Sequence, residues 1–177
     1  MNQSYASVLQ LTKMLKNLDG WLDKAVEQAR KKSYDPERLL QARLAPDMFS
    51  LSRQIQSACD GVKFTAARLA GKDAPKHEDG ELGMDVLRAR IRSVLEFVSG
   101  FKEGDFEGAE SRVIPLSFMP GKGLAGADYL NELNLPNTYF HFCMAYAILR
   151  HNGVELGKMD YLGGANFRDL YSSTQLS

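Results

Sequence analysis

His141 is the one ionisable side chain in the middle of an otherwise apolar and aromatic stretch, Leu135 to Gly153. A neutral imidazole in that setting has two chemistries open to it, metal ligation and proton transfer near neutral pH. On a helix its same-face neighbours are Met144, Ala145 and Ile148, none of which can coordinate a hard metal ion. The arrangement H-x-x-x-H, which sets two imidazoles one turn apart, is missing. The residue types therefore favour a satisfied histidine whose ring is hydrogen-bonded to a polar side chain on another helix. Asp47 and Gln54 are the expected partners, because their seven-residue spacing puts them on one flank of a helix opening at Pro46. With His141 they make the candidate ligand pocket. Each also has a plainer role, Asp47 as a first-turn carboxylate stabilised by the helix N-terminus and Gln54 as a solvated surface residue.

Other reactive residues carry less. His77, with Glu78, Asp79 and Glu81, has the composition of a metal cluster but sits in a polar connection without ligand spacing, so a solvated loop is expected. His151 belongs to the last turn of its helix, where the dipole favours a cation. Met119-Pro120-Gly121-Lys122-Gly123 contains Gly-Lys, yet the phosphate-loop pattern is absent and no buried parallel strand precedes it, which removes nucleotide binding. Cys143 has no cationic neighbour to stabilise a thiolate. Together with Cys59 it fits reduced thiols in a cytoplasmic protein better than a disulfide framework.

Lys plus Arg and Asp plus Glu each number 22, so no basic field exists to draw nucleic acid or an anionic membrane. The first residues lack a basic region followed by an apolar core, and no signal peptide is read there. The longest apolar run is about half of the ~20 residues a bilayer span requires.

The elements that must hold these residues are mostly helices. Val8, Thr12, Leu15, Leu18 and Leu22 recur at helical spacing in a long first helix ending near Lys31. Asp35-Pro36-Glu37 opens a short crossing helix. Leu44, Met48, Leu51, Ile55, Ala58, Val62, Thr65 and Leu69 form the stripe of a second long helix, stopped by Gly71. Residues 72–81 read as an exposed connection. Met84, Leu87, Ile91, Val94 and Val98 line a third helix, with Arg88, Arg90 and Arg92 off that face. From Ser111 to Phe118 the period changes to that of a strand, a small hairpin or extended arm whose Pro115 belongs at an edge. Leu135 to Gly153 then reads as a central helix covered nearly all round. Leu51, Ile55, Leu87, Ile91, Val94, Phe140 and Ala147 are expected in the core. One domain, 1–177, accounts for the chain, with an irregular tail from about residue 165.

The sequence from Leu135 to Lys158, with Asp47-Met48-Phe49 through Gln54 and Arg112 with its following extended segment, resembles a bacterial family of unknown function related to the DinB/YfiT-like proteins. The resemblance covers nearly the whole chain and implies an all-α, DinB-like four-helix bundle, commonly a homodimer. DinB/YfiT-like proteins characteristically carry three metal-binding histidines, one on the second helix and an H-x-x-x-H pair on the fourth. His141 matches the first of that pair, Ala145 falls at the second, and Gln54 falls near the helix-two position. Two of three ligands are replaced, a degenerate metal site, so no cofactor is expected. The leading expectation is a cytoplasmic homodimer that binds a small ligand between the second and fourth long helices. The alternative is a metal-dependent hydrolase or thiol transferase in which His141 and Asp47 hold zinc or nickel, with His77 as a third donor should its loop fold over the bundle mouth.

Overall fold

The computed structural model describes residues 1–168. The rest of the irregular tail expected from the sequence lies outside the described residues. Helix α1 (Gln3–Lys31) starts where Asn2 Oδ1 accepts from the backbone N–H groups of Ser4 at 2.9 Å and Tyr5 at 3.3 Å, satisfying two of the free donors at its end. Its Val8, Leu11, Leu15, Leu18 and Leu22 are buried in one stripe. The crossing helix α2 (Glu37–Leu40) is a single turn.

Helix α3 (Leu51–Ala70) begins later than the sequence predicts. Arg43 donates to the Met48 carbonyl at 2.5 Å and the Met48 N–H to the Ala45 carbonyl at 3.0 Å, closing a turn over Pro46 and Asp47 instead. Leu44 is consequently 39% exposed, and Asp47 stands on an exposed turn rather than on a helix flank. From Leu51 onward the predicted stripe holds, and Gly71 ends the helix with φ 67°, where a left-handed residue is needed.

Helix α3 is also the true centre of the bundle. It packs against α1, against α4 (Met84–Ser99) and against the last long helix, so even Gln54, Gln56, Lys63 and Thr65 are buried in it. The central role expected for residues 135–153 is therefore corrected. That helix covers α3 and α1 with one side only, which leaves Phe140 49% exposed, Ala147 half-buried and Cys143 in solvent. The other five expected core residues, Leu51, Ile55, Leu87, Ile91 and Val94, are fully buried. The connection 72–83 is tied at its far end by Glu37, whose carboxylate oxygens accept from Met84 N at 3.0 and 3.2 Å.

After a 3₁₀ turn at Glu103–Phe106, strand β1 (Val113–Pro115) pairs antiparallel with β2 (Gly123–Ala125), Ile114 opposite Leu124. This two-stranded ribbon is the small hairpin expected, and every strand in it is an edge that tolerates Pro115. The chain then runs without interruption through α5 (Gly126–Asp128), a π turn (Tyr129–Asn134) and α6 (Leu135–His151). Pro136 explains the π turn: it has no N–H to give and its ring crowds the carbonyl one turn back, so the preceding turn widens instead of continuing the α ladder. A short α7 (Lys158–Leu162) lies on α1, where Trp21 Nε1 donates to the Asp160 carbonyl at 2.9 Å and stacks on Tyr161. Among the described residues no helix is long and apolar enough to cross a membrane.

Candidate functional site

His141 is 8% exposed, and its Nδ1 lies 2.8 Å from Oε1 of Gln54, itself 1% exposed. An amide oxygen only accepts, so Nδ1 carries the proton and Nε2 is left as a bare acceptor. Gln54 is fixed in turn by donation from Nε2 to the Phe49 carbonyl at 3.4 Å. The Phe49 ring lies nearly parallel to the imidazole at 6.5 Å, Phe140 meets it edge-on at 5.5 Å, and the Arg53 guanidinium sits 5.6 Å from the Phe49 ring centre. Burial, and then the positive charge of Arg53, hold the His141 pKa below the ordinary 6.5, so the ring is neutral at pH 7. Of the two partners expected for His141, the structure supplies Gln54. Asp47 stays on its exposed turn and hydrogen-bonds nothing among the described residues.

Beside His141, α3 and the α5–α6 run enclose a cavity of about 250 Å³. One wall is a helical stripe of α3: Ser57, Asp60, Gly61, Phe64 and Arg68. The opposite wall is Tyr129, Leu133, Asn134, Asn137 and His141, with Phe118 from the turn after β1. Its floor is a close helix contact. A Cβ added to Gly61 would overlap Thr138 Oγ1 and lie 2.8 and 2.9 Å from the Thr138 Cγ2 and Cβ, so only glycine lets the two backbones approach this far. Polar groups in the floor satisfy one another: Thr65 Oγ1 is 2.6 Å from the Gly61 carbonyl and 2.5 Å from Asn134 Oδ1, and Asn134 Nδ2 donates to the Tyr129 hydroxyl at 2.9 Å. Arg68 donates to that hydroxyl at 3.2 Å.

A buried ionic cluster adjoins the α3 wall. Asp60 Oδ1 accepts from Lys63 Nζ and from Arg90, both at 2.8 Å, and the side chains of Lys63 and Arg90 are only 3% exposed. Arg90 also pairs with Asp79 at 3.0 Å, which Arg53 grips at 2.6 Å. His77 is not the solvated loop residue expected. Its Nδ1 accepts from Lys63 Nζ at 3.2 Å, leaving Nε2–H to donate to Ser93 Oγ at 3.0 Å. Burial and the charges of Lys63 and Arg90 hold its pKa below 6.5. With Gln56, whose amide accepts from Gly80 N at 3.2 Å and donates to Gly80 O at 2.9 Å, this cluster pins the connection to α3 and α4. Lys63 and Arg90 escaped the sequence reading because charged residues are assigned to solvent by default.

The remaining candidates are simply placed. Cys59 is buried, its thiol pushed up to about 12 by burial. Cys143 is exposed, with Sγ 3.2 Å from the Tyr161 hydroxyl. Met119 to Lys122 makes the tight turn between the two strands, the Lys122 N–H donating to the Met119 carbonyl at 2.9 Å.

With the bundle, the ribbon and the His141–Gln54 pair in view, comparison with known proteins is decisive about kinship. Residues 5–162 match the model of a domain of unknown function, DUF1993. The chain belongs to the DUF1993 family. A crystal structure of a DinB family member protein from Shewanella denitrificans is 48% identical to it, covers 92% of each chain and superposes with a TM-score of 0.87. No curated protein matches the chain in sequence.

The DinB relationship raises the question of a metal. In the correspondence that the resemblance implies, His141 and Ala145 take the positions of the histidine pair and Gln54 falls near that of the helix-two histidine. Gln54 spends its oxygen on His141 Nδ1, and Ala145 is fully buried and offers no donor. His77 has both ring nitrogens engaged elsewhere. Among the described residues no three His, Cys, Asp or Glu side chains converge to hold one ion. One imidazole nitrogen does not fit a site that needs three protein ligands.

Proposed function

We propose that this DUF1993 protein binds a small organic molecule in the cavity between α3 and α6, with His141 Nε2 as a hydrogen-bond acceptor and without a metal ion. The observation that carries this reading is the 2.8 Å Gln54–His141 bond. It locks the neutral tautomer and leaves the other ring nitrogen unpartnered on a residue that lines the cavity. The π turn supports the same reading, since such turns recur where a helix is shaped for a site. The rival hydrolase or transferase reading has lost its second donor with Asp47 on an exposed turn. The protein works as a cytoplasmic homodimer in this account. Phe49 and Phe140, each 49% exposed and packed against the His141 ring, offer apolar surface of the kind that partners cover.

The test uses tag-free protein. Phenol, a neutral donor, titrated to millimolar concentration should shift the His141 ring resonances in long-range ¹H–¹⁵N spectra, which should show the Nδ1–H tautomer before addition. Stoichiometric zinc or nickel that disappears in His141→Ala would overturn the metal-free reading.

A further inference from the structure

The cavity has two ends of different character. His141 is at one, while Arg68, in the last turn of α3, is at the other, and the helical rise between Ser57 and Arg68 makes the trough about 16 Å long. Arg68 forms no ion pair among the described residues, although carboxylates are not scarce in the chain. Its guanidinium is held by aromatic groups, 4.6 Å from the Phe64 ring centre, 5.5 Å from that of Tyr129, with one donor on the Tyr129 hydroxyl. A guanidinium fixed by stacking keeps its planar fork of N–H donors pre-organised for a carboxylate.

The one carboxylate in the cavity wall is not paired with it. Asp60 is already shared between Lys63 and Arg90. Among the residues that line the cavity Arg68 is the one cation and Asp60 the one anion, and the charge of Asp60 is offset by Lys63 and Arg90 behind the α3 wall. Between the two ends the walls offer Phe64, Leu133 and Phe118, surface for an apolar body.

We propose that the ligand is an organic carboxylate, its anionic group on Arg68 and its apolar body along Phe64 and Leu133 toward His141. The inference rests on the reading of this cavity as a ligand site. It adds the charge of the ligand and its direction in the trough.

The probes are 3-phenylpropionate and its neutral isostere 3-phenylpropanamide, titrated into the full-length protein while the backbone amides of Gly61, Phe64, Leu133 and Asn137 are followed by NMR. The carboxylate should shift these resonances and bind at least tenfold more tightly than the amide. In Arg68→Gln the two probes should bind alike, at the affinity the amide shows in the parent, and in Arg68→Lys, which keeps the charge but loses the stacked fork, only part of the preference should persist. Equal binding of both probes to the parent would overturn the carboxylate assignment and leave the cavity as a ligand site. Absence of shifts with either probe at tens of millimolar would overturn both. The comparison within the parent stands even if Arg68→Gln does not fold.

Discussion

Gly61→Ala sets two physical effects of opposite sign against each other. In the interior of a helix, alanine is favoured over glycine by about 0.8–1.0 kcal/mol, because glycine loses more backbone freedom on folding. Against this, the new Cβ overlaps Thr138 Oγ1 and sits 2.8 and 2.9 Å from the next two side-chain atoms, closer than carbon atoms tolerate. Thr138 cannot swing clear, because it is fully buried and its hydroxyl donates to the Asn134 carbonyl at 2.7 Å. The helices must part or the threonine must leave its rotamer, and overpacking of this kind costs about 1–3 kcal/mol even where the core yields. The net expectation is a loss of roughly 0–2 kcal/mol, a fall in melting temperature of up to about 8 °C for a domain this size. Urea denaturation followed by far-UV circular dichroism measures it. Thr138→Ala in the same chain removes the two outer atoms of the clash, so the double variant should recover part of the loss, with a coupling of at least about 0.5 kcal/mol. A Gly61→Ala protein more stable than its parent would refute the close-contact argument.

Ile91→Ala should cost about 2–5 kcal/mol in the same assay, since a fully buried side chain leaves both lost transfer energy and a cavity. Asp60→Asn removes the carboxylate shared by Lys63 and Arg90, each 3% exposed, and because Arg90 keeps Asp79 and Lys63 keeps His77 Nδ1 the loss should fall at or below the low end of the ~3–5 kcal/mol range for a broken buried pair. His77 and His141 both have folded pKa values below 6.5, so the unfolded chain binds protons first. Stability should be full above pH 6.5 and fall as the pH drops from there through the depressed values. His77→Gln and His141→Gln should each flatten that slope, and unchanged slopes in both would contradict the assignment. His141→Gln should otherwise keep its helicity, with a loss near one hydrogen bond, roughly 0.5–1.5 kcal/mol. Light scattering at micromolar concentration should give twice 19.7 kDa for the proposed homodimer.

Periodicity made the helices legible, because a helix that must bury one stripe repeats its apolar residues at 3.6. The same rule misjudged which helix is central. Residues 135–151 are the more apolar, yet Phe140 and Cys143 look outward, whereas α3 carries Gln54, Gln56, Lys63 and Thr65 and is enclosed. Composition measures what a helix would like to bury, and packing decides what is covered. Gln54 was found because its position follows from helical spacing and from the resemblance. Asp47 was misplaced because its position hung on a helix start read from Pro46, which lies in a turn before the helix. The Asp60–Lys63–Arg90 cluster depends on pairs distant in sequence, Asp60 with Arg90 among them, and no local pattern encodes such a meeting.

The seat of α7 on α1 makes the chain its own optical instrument. Trp21 is the only tryptophan, it is 1% exposed, and α7 supplies part of its environment, the Asp160 carbonyl and the Tyr161 ring at 5.7 Å, beside the Tyr146 ring of α6 at 5.5 Å. Helix α7 buries none of its own residues, so it belongs among the units that open at the lowest free energy. Tryptophan emission therefore reports that segment lifting from the bundle before it reports the bundle melting. The red shift should begin at lower urea than the loss of helical ellipticity, and a Trp21 signal that tracks ellipticity point for point would mean that the segment and the bundle unfold as one.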